Sequence, residues 1–185
     1  MSEKSGRNID TGNEAPPGVM LHKKDTRNYS AERARRTKEW MNKLDLAWCA
    51  GFLDGEGCFH IGVSGPLSRR RHKPFVECDQ TVTREPLDKL RATLGGAVHQ
   101  RARPTVTGKT VWHWQMSGAL MIRKAIDRVL PFLVVKKRDA EILREFCDHI
   151  PSKGKRPTSP QLVGQRLLWA QLKALRTKGI PRHGS

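Results

Sequence analysis

The chain has 185 residues and 37% hydrophobic content, enough for one domain with its own core plus extensions. Its 35 Lys and Arg against 18 Asp and Glu give a formal charge of +17, which points to a polyanionic partner, and nucleic acid leads because neutralising phosphates releases counterions. A membrane surface, the rival polyanion, is set aside because there is no long apolar span, signal peptide or lipidation motif.

Residues 1–40 carry nine basic and six acidic residues without a sustained period, and read as a basic, flexible arm. A short helix is predicted over Ser30–Lys43, and its ERARR run reads as a solvated face before a phosphate contact. Residues 41–150 carry eighteen basic and twelve acidic residues and form the expected domain. Residues 151–185, with eight basic and no acidic residues, form a basic extension with one amphipathic helix over Gln161–Arg176. Cys49, Cys58, Cys78 and Cys147 lack CxxC spacing and read as small buried hydrophobes in an intracellular, reducing compartment, with a metal site from Cys58, His60 and Cys78 as the alternative.

The domain opens with a helical apolar run, Leu46 to Leu53, that ends in two glycines bracketing one carboxylate, Gly55-Glu56-Gly57. Gly51 and Gly55, four apart, share a helical face that a second helix can approach closely. Gly55 and Gly57 are expected to take positive φ and release the chain into a strand. Glu56 then lies at the negative end of a helix dipole, where a cation is needed to offset it, and a divalent metal is the expected one.

A strand follows at Cys58–Ser64, with Phe59, Ile61 and Val63 on one face and His60 and Ser64 on the other, and a second returns over Phe75–Val82. The hairpin tip between them holds Arg69, Arg70, Arg71 and Lys73, read as phosphate contacts over a solvated turn. Pro86-Leu87 opens a helix stopped by Gly95-Gly96. Strands over Ala97–Arg103 and Lys109–Met116 form a second hairpin, with Trp112, Trp114 and Met116 read as core rather than base-stacking platforms. Helices over Ala119–Val129 and Lys137–His149 flank Pro131-Phe132-Leu133. The result is an α+β domain in the order αββαββα, with a four-stranded antiparallel sheet covered by helices on one side and open on the other.

Ala50–Gly57, AGFLDGEG, resembles the LAGLIDADG motif of the homing endonucleases, with Cys49 at the first leucine. The resemblance covers residues 44 to about 150 and implies a saddle-shaped sheet and a motif helix that pairs two αββαββ halves. Ala50, Gly51, Leu53, Asp54 and Gly55 are then the dimer interface. With one motif copy, a homodimer reading a long near-palindromic duplex DNA site is implied. Glu56, with the Gly55 carbonyl, would bind Mg²⁺, and Ca²⁺ would fill the site without turnover. Both strands would be hydrolysed, leaving 3′ overhangs. The resemblance carries further catalytic roles onto Gln80, Arg84 and Lys136, which match the family's polar residues around the attacking water. Groove-facing candidates are His60, Ser64, Glu77, Asp79, His99, Arg101, Arg103, Lys109, His113 and Gln115. Glu77 and Asp79 are either base readers or members of an internal salt network. An intron RNA maturase and a silent DNA-binding regulator are the alternatives on this fold.

Overall fold

The computed structural model describes residues 23–65, 71–101, 110–151 and 155–177. The elements run α1 (Lys23–Glu56), β1 (Gly57–Ser64), β2 (Arg71–Gln80), α2 (Glu85–Leu94), β3 (Ala97–Gln100), β4 (Trp112–Ser117), α3 (Ala119–Val129), α4 (Lys137–Asp148) and α5 (Ser159–Thr177). The αββαββα order is the expected one. The helix expected over Ser30–Lys43 is present, but as part of α1, Lys23–Glu56, and not as a separate short element.

The chain divides into two compact units between Glu39 and Trp40. In the first, Glu32 pairs with Arg35 at 2.8 Å and Arg36 at 3.0 Å, and Arg35 pairs with Glu39 at 3.2 Å. These are neighbours one helical turn apart, so the ERARR arginines Arg35 and Arg36 find their carboxylates within the helix itself.

The second unit is built on a four-stranded antiparallel sheet in the order β1-β2-β4-β3. Two hairpins meet along β2 and β4, with Cys78 opposite Trp114, while β1 pairs with β2 through Cys58 opposite Glu77. Alternation then fixes the two faces. Phe59 and Ile61 of β1, Val76 and Cys78 of β2, and Trp114 and Met116 of β4 are buried in one core with Leu46, Cys49, Ala50 and Leu53 of α1 and the apolar stripes of the other helices. Trp114 is fully buried and its indole N–H donates to Gly95 O at 2.9 Å, which confirms a packing role over base stacking. Gly96 is required there: its φ is +87°, and a Cβ would lie 2.8 Å from Gln115 O.

The described part of the tail also belongs to this core. Leu168 and Leu172 of α5 are buried, and Gln165 donates to His149 O at 2.9 Å. Among the described residues no helix is long and apolar enough to cross a membrane.

Three expectations are corrected. Gly55 and Gly57 do not take positive φ; among the described residues only Gly65, Gly95, Gly96 and Gly118 do. Gly57 is needed for space instead, since a Cβ there would sit 2.7 Å from Leu53 O. Ala50 and Leu53 are 0% and 1% exposed, so these two predicted interface residues are spent in the chain's own core. The strands also shift: β2 starts early enough to include Arg71 and Lys73, and β3 ends at Gln100.

Candidate active site and open sheet face

The end of α1 is tied to the turn before α4. Asp54 Oδ2 accepts from Val134 N at 2.7 Å, and Oδ1 accepts from Lys136 N at 2.8 Å. Burial pushes the Asp54 pKa up, but the backbone donors of Lys136, Val134 and Val135, with the Lys136 charge, outweigh it and hold the carboxyl below the usual aspartate value. Asp54 is therefore an internal clamp.

The Lys136 side chain works at the same end. Its Nζ donates to Leu53 O at 3.1 Å, Gly55 O at 3.0 Å and Gly57 O at 2.7 Å. An ammonium has three donors, and all three are used on carbonyls at the helix terminus. The cation that offsets the helix dipole is thus the chain's own lysine, where a metal was expected. The Gly55 carbonyl, expected as a metal ligand, is engaged by the same ammonium.

Glu56 stands apart from this arrangement. It is exposed at the last residue of α1, and its carboxylate makes no hydrogen bond or ion pair among the described residues. Oxygen donors of this kind suit Mg²⁺, which keeps several of its waters and needs few protein ligands. Glu56 offers one carboxylate of that chemistry at the end of α1. Gly51 and Gly55, on the exposed side of α1, have nothing within 4 Å of where a Cβ would be. Trp40 and Leu44 continue that exposed stripe toward the N-terminus, at 68% and 61% exposure.

Of the other expected catalytic residues, Gln80 closes β2 opposite Trp112. Arg84 precedes α2, with Nη2 donating to Asp88 Oδ1 at 3.2 Å and its guanidinium 5.1 Å from the Trp112 ring centre. Its Nε lies 2.9 Å from Asp88 Oδ2 but out of alignment, which leaves that buried nitrogen without a hydrogen bond. Arg84 is thus held by an acid of its own helix.

The sheet face opposite the core carries an internal polar network. Asp79 Oδ1 is 2.6 Å from His113 Nδ1, and Asp79 Oδ2 is 2.9 Å from Arg101. Glu77 approaches His60 Nδ1 at 3.5 Å and His113 Nε2 at 3.7 Å, and Gln115 donates to it at 3.4 Å. His99 meets the His113 ring edge-on at 4.9 Å. Of the two readings left open for Glu77 and Asp79, the structure gives the salt network. His113, at 5% exposure, is too buried to reach a base edge, which removes it from the groove-facing candidates. His60 stacks on Phe75 at 5.2 Å, made possible by Gly62, whose Cβ would strike that ring. Burial lowers the His60 pKa; the Glu77 carboxylate opposes this, and Arg176 and His113 reinforce it.

Ser64, Arg71 and Lys73 are exposed at the outer end of this face. Arg69, Arg70, Arg103 and Lys109 lie outside the described residues. Three cysteines are buried as expected: Cys49, Cys78 and Cys147. Burial first, then Glu56 and Asp79, push the Cys78 thiol up to about 12. Cys58 departs from the expectation, being half-buried on the open face, and Cys78 points to the core, away from Cys58 and His60. Sequence reading missed the Asp54 clamp, whose partners lie 80 and 82 residues away, and Arg176, which donates to Phe59 O at 2.5 Å across 117 residues. Neither left a local signal, because both depend on how distant elements pack.

No family model and no curated protein matches the chain. Solved structures do. The homing endonuclease I-CvuI in complex with its target is 20% identical with a TM-score of 0.63, over 79% of this chain and 89% of that one. The archaeal intron-encoded homing endonuclease I-Vdi141I, complexed with DNA, is 19% identical with a TM-score of 0.58, over 80% of this chain and 91% of that one. The LAGLIDADG homing endonuclease I-GzeII in complex with its DNA target is 14% identical with a TM-score of 0.53, over 76% of this chain but 46% of that one. A motif helix that closes into a hairpin pair, a sheet covered on one face only, and these three likenesses lead to one conclusion: the chain has the fold of the LAGLIDADG homing endonucleases.

Proposed function

We propose that the protein is a site-specific homing endonuclease that works as a homodimer on a long, near-palindromic DNA duplex and hydrolyses both strands with Mg²⁺, leaving 3′ overhangs. The observation that carries this reading is a division of labour between the two motif carboxylates. Asp54 has its oxygens satisfied by backbone N–H groups, while Glu56, two residues on, is exposed and unpaired among the described residues. A carboxylate held at a rigid helix end without a partner is suited to a ligand from outside the chain.

The Gly51 and Gly55 face supports the dimer, since it leaves the helix backbone bare at the level of Glu56. So does the extent of the likeness: this chain matches about nine-tenths of I-CvuI and I-Vdi141I but under half of I-GzeII. Pairing two copies along α1 would bring two Glu56 side chains together and extend two sheets into one surface with dyad symmetry. Arg71 and Lys73, exposed on the open face, suit phosphate or base-edge contacts in a major groove.

Bound Mg²⁺ supplies Lewis acidity toward water and the scissile phosphodiester. Glu56 would hold it. Lys136 is a positioning residue in this scheme, fixing the carbonyl end of α1 so that Glu56 projects from a defined place. Gln80, at the end of β2, and Arg84, just before α2, would complete the polar surround that the resemblance implies.

The test is incubation with Mg²⁺ and duplex DNA spanning the gene's own insertion site, intact and interrupted. The intact duplex should be cut on both strands and the interrupted one spared. Glu56→Gln should abolish cutting while site-specific retention in Ca²⁺ persists. Cutting by Glu56→Gln at the wild-type rate would overturn the assignment.

A further inference from the structure

The open face holds a second cluster with metal-ligand chemistry, distinct in its donors from Glu56. Cys58 and His60, two apart on β1, point to the same side of the sheet, and Glu77 lies directly across from Cys58 on β2. One ligand atom from each, a sulfur, an imidazole nitrogen and a carboxylate oxygen, lies within 4.8 Å of the other two.

The separations have a specific meaning. Cys58 Sγ is 3.8 Å from His60 Nδ1, and His60 Nδ1 is 3.5 Å from Glu77 Oε1. The second is long for a direct hydrogen bond, and the first lies at the outer end of the range for one to sulfur. A tetrahedral zinc ion with ordinary bond lengths would set sulfur and nitrogen about 3.6 Å apart, and nitrogen and oxygen about 3.4 Å apart. Two edges of the tetrahedron are therefore close to length, the third, from Cys58 to Glu77, is within 4.8 Å, and side-chain rotation would close it.

The surroundings hold these donors in place. His113 Nε2, at 3.7 Å, and Gln115 Nε2, at 3.4 Å, both lie at Glu77 Oε2, which leaves Oε1 toward His60. Arg176 Nη2 donates to Cys58 Sγ at 3.2 Å and to Phe59 O at 2.5 Å, so a guanidinium faces the sulfur from α5. Outer partners of this kind orient metal ligands. The Phe75 ring against His60 limits its rotation.

We propose that Cys58, His60 and Glu77 form a zinc site with a fourth position open to water. The mixed sulfur, nitrogen and oxygen donors select zinc over Mg²⁺, which takes oxygen ligands. On binding, the Cys58 thiol proton leaves to solvent and the sulfur bonds the ion as thiolate. The ion would pin β1 to β2 two residues beyond Glu56. It would also withdraw His60 and Glu77 from base reading. This site stands whether or not the protein cleaves DNA.

The experiment uses the full chain, stripped with chelator and titrated with Zn²⁺ in the presence of excess Mg²⁺, and separately with Co²⁺ as an optical probe. One equivalent of zinc per chain should bind, and Mg²⁺ should not displace it. The cobalt form should show a sulfur-to-cobalt charge-transfer band. Cys58→Ser should lose that band, and Glu77→Gln, which leaves the thiol in place, should keep it while weakening binding about tenfold or more. Glu56→Gln should bind zinc as the wild type does. Failure of the wild type to hold zinc would overturn the proposal. So would a cobalt band that survives in Cys58→Ser, or unchanged affinity in Glu77→Gln, with circular dichroism confirming that each variant is folded.

Discussion

Lys136 grips the motif end around Asp54 in two ways: its backbone N–H donates to the Asp54 carboxylate at 2.8 Å, and its ammonium reaches past it to the carbonyls of Leu53, Gly55 and Gly57. One residue of the α4 approach thus satisfies both the side chain and the backbone of the motif end. The position of Glu56 follows from this lock.

Asp54→Asn should therefore destabilise the fold by about 1.5–3 kcal/mol, the range for hydrogen bonds to a charged group. The pH dependence has a definite sign. Asp54 has a folded pKa below its ordinary value, so its contribution is complete above the unfolded pKa and is lost as pH falls through the folded one. Urea unfolding of wild type and variant should show a gap that is constant near neutrality and narrows below about pH 4. A gap that widens in acid would contradict the clamp.

Lys136→Met separates positioning from chemistry. It leaves three helix-end carbonyls without their donor, so unfolding should occur at lower denaturant as well as cleavage slowing. Glu56→Gln, at an exposed and unpaired position, should shift stability by no more than about 0.5 kcal/mol. Equal stability of wild type and Lys136→Met would show that the three hydrogen bonds do not anchor the motif end.

Gly51→Leu tests the proposed pairing face. Nothing in the chain lies within 4 Å of a Cβ at Gly51, so the subunit should fold as before while helix approach is blocked. Sedimentation should then find monomers where the wild type gives dimers. A dimer that persists would place the interface elsewhere. Gly57→Ala is the contrasting substitution: its Cβ would meet Leu53 O at 2.7 Å, and it should destabilise the subunit itself.

Leu172→Ala addresses the tail. Leu172 is 2% exposed, and truncating a buried leucine costs about 2–5 kcal/mol. Chemical denaturation should show the full domain losing stability, because α5 shares its core. An unchanged midpoint would mean that α5 is a detachable appendage. Deleting residues 151–185 is accordingly a poor test of phosphate binding, since it removes core along with charge.

The sequence by itself determined the order of elements and the two faces of the sheet. Period-two alternation and the leucines of α2 depend only on which residues avoid water, and burial follows that pattern at Phe59, Ile61, Trp114, Met116, Leu87, Leu90 and Leu94; it departs at Val63, exposed at the end of β1, and at His113, buried among its polar partners. It also singled out Glu56, because a carboxylate between glycines at a helix end is legible locally. Only the tertiary structure decided what each polar group does. Lys136 caps the motif helix, Asp54 clamps a turn 80 residues away, Glu77 and Asp79 join a network through His113, and Cys58 meets His60 and Glu77. Hydrogen bonds and ion pairs act over a few ångströms in fixed directions, so their partners are chosen by packing between distant segments. Burial is a property of each residue in its own element and is written along the chain; pairing is a property of two elements and is not.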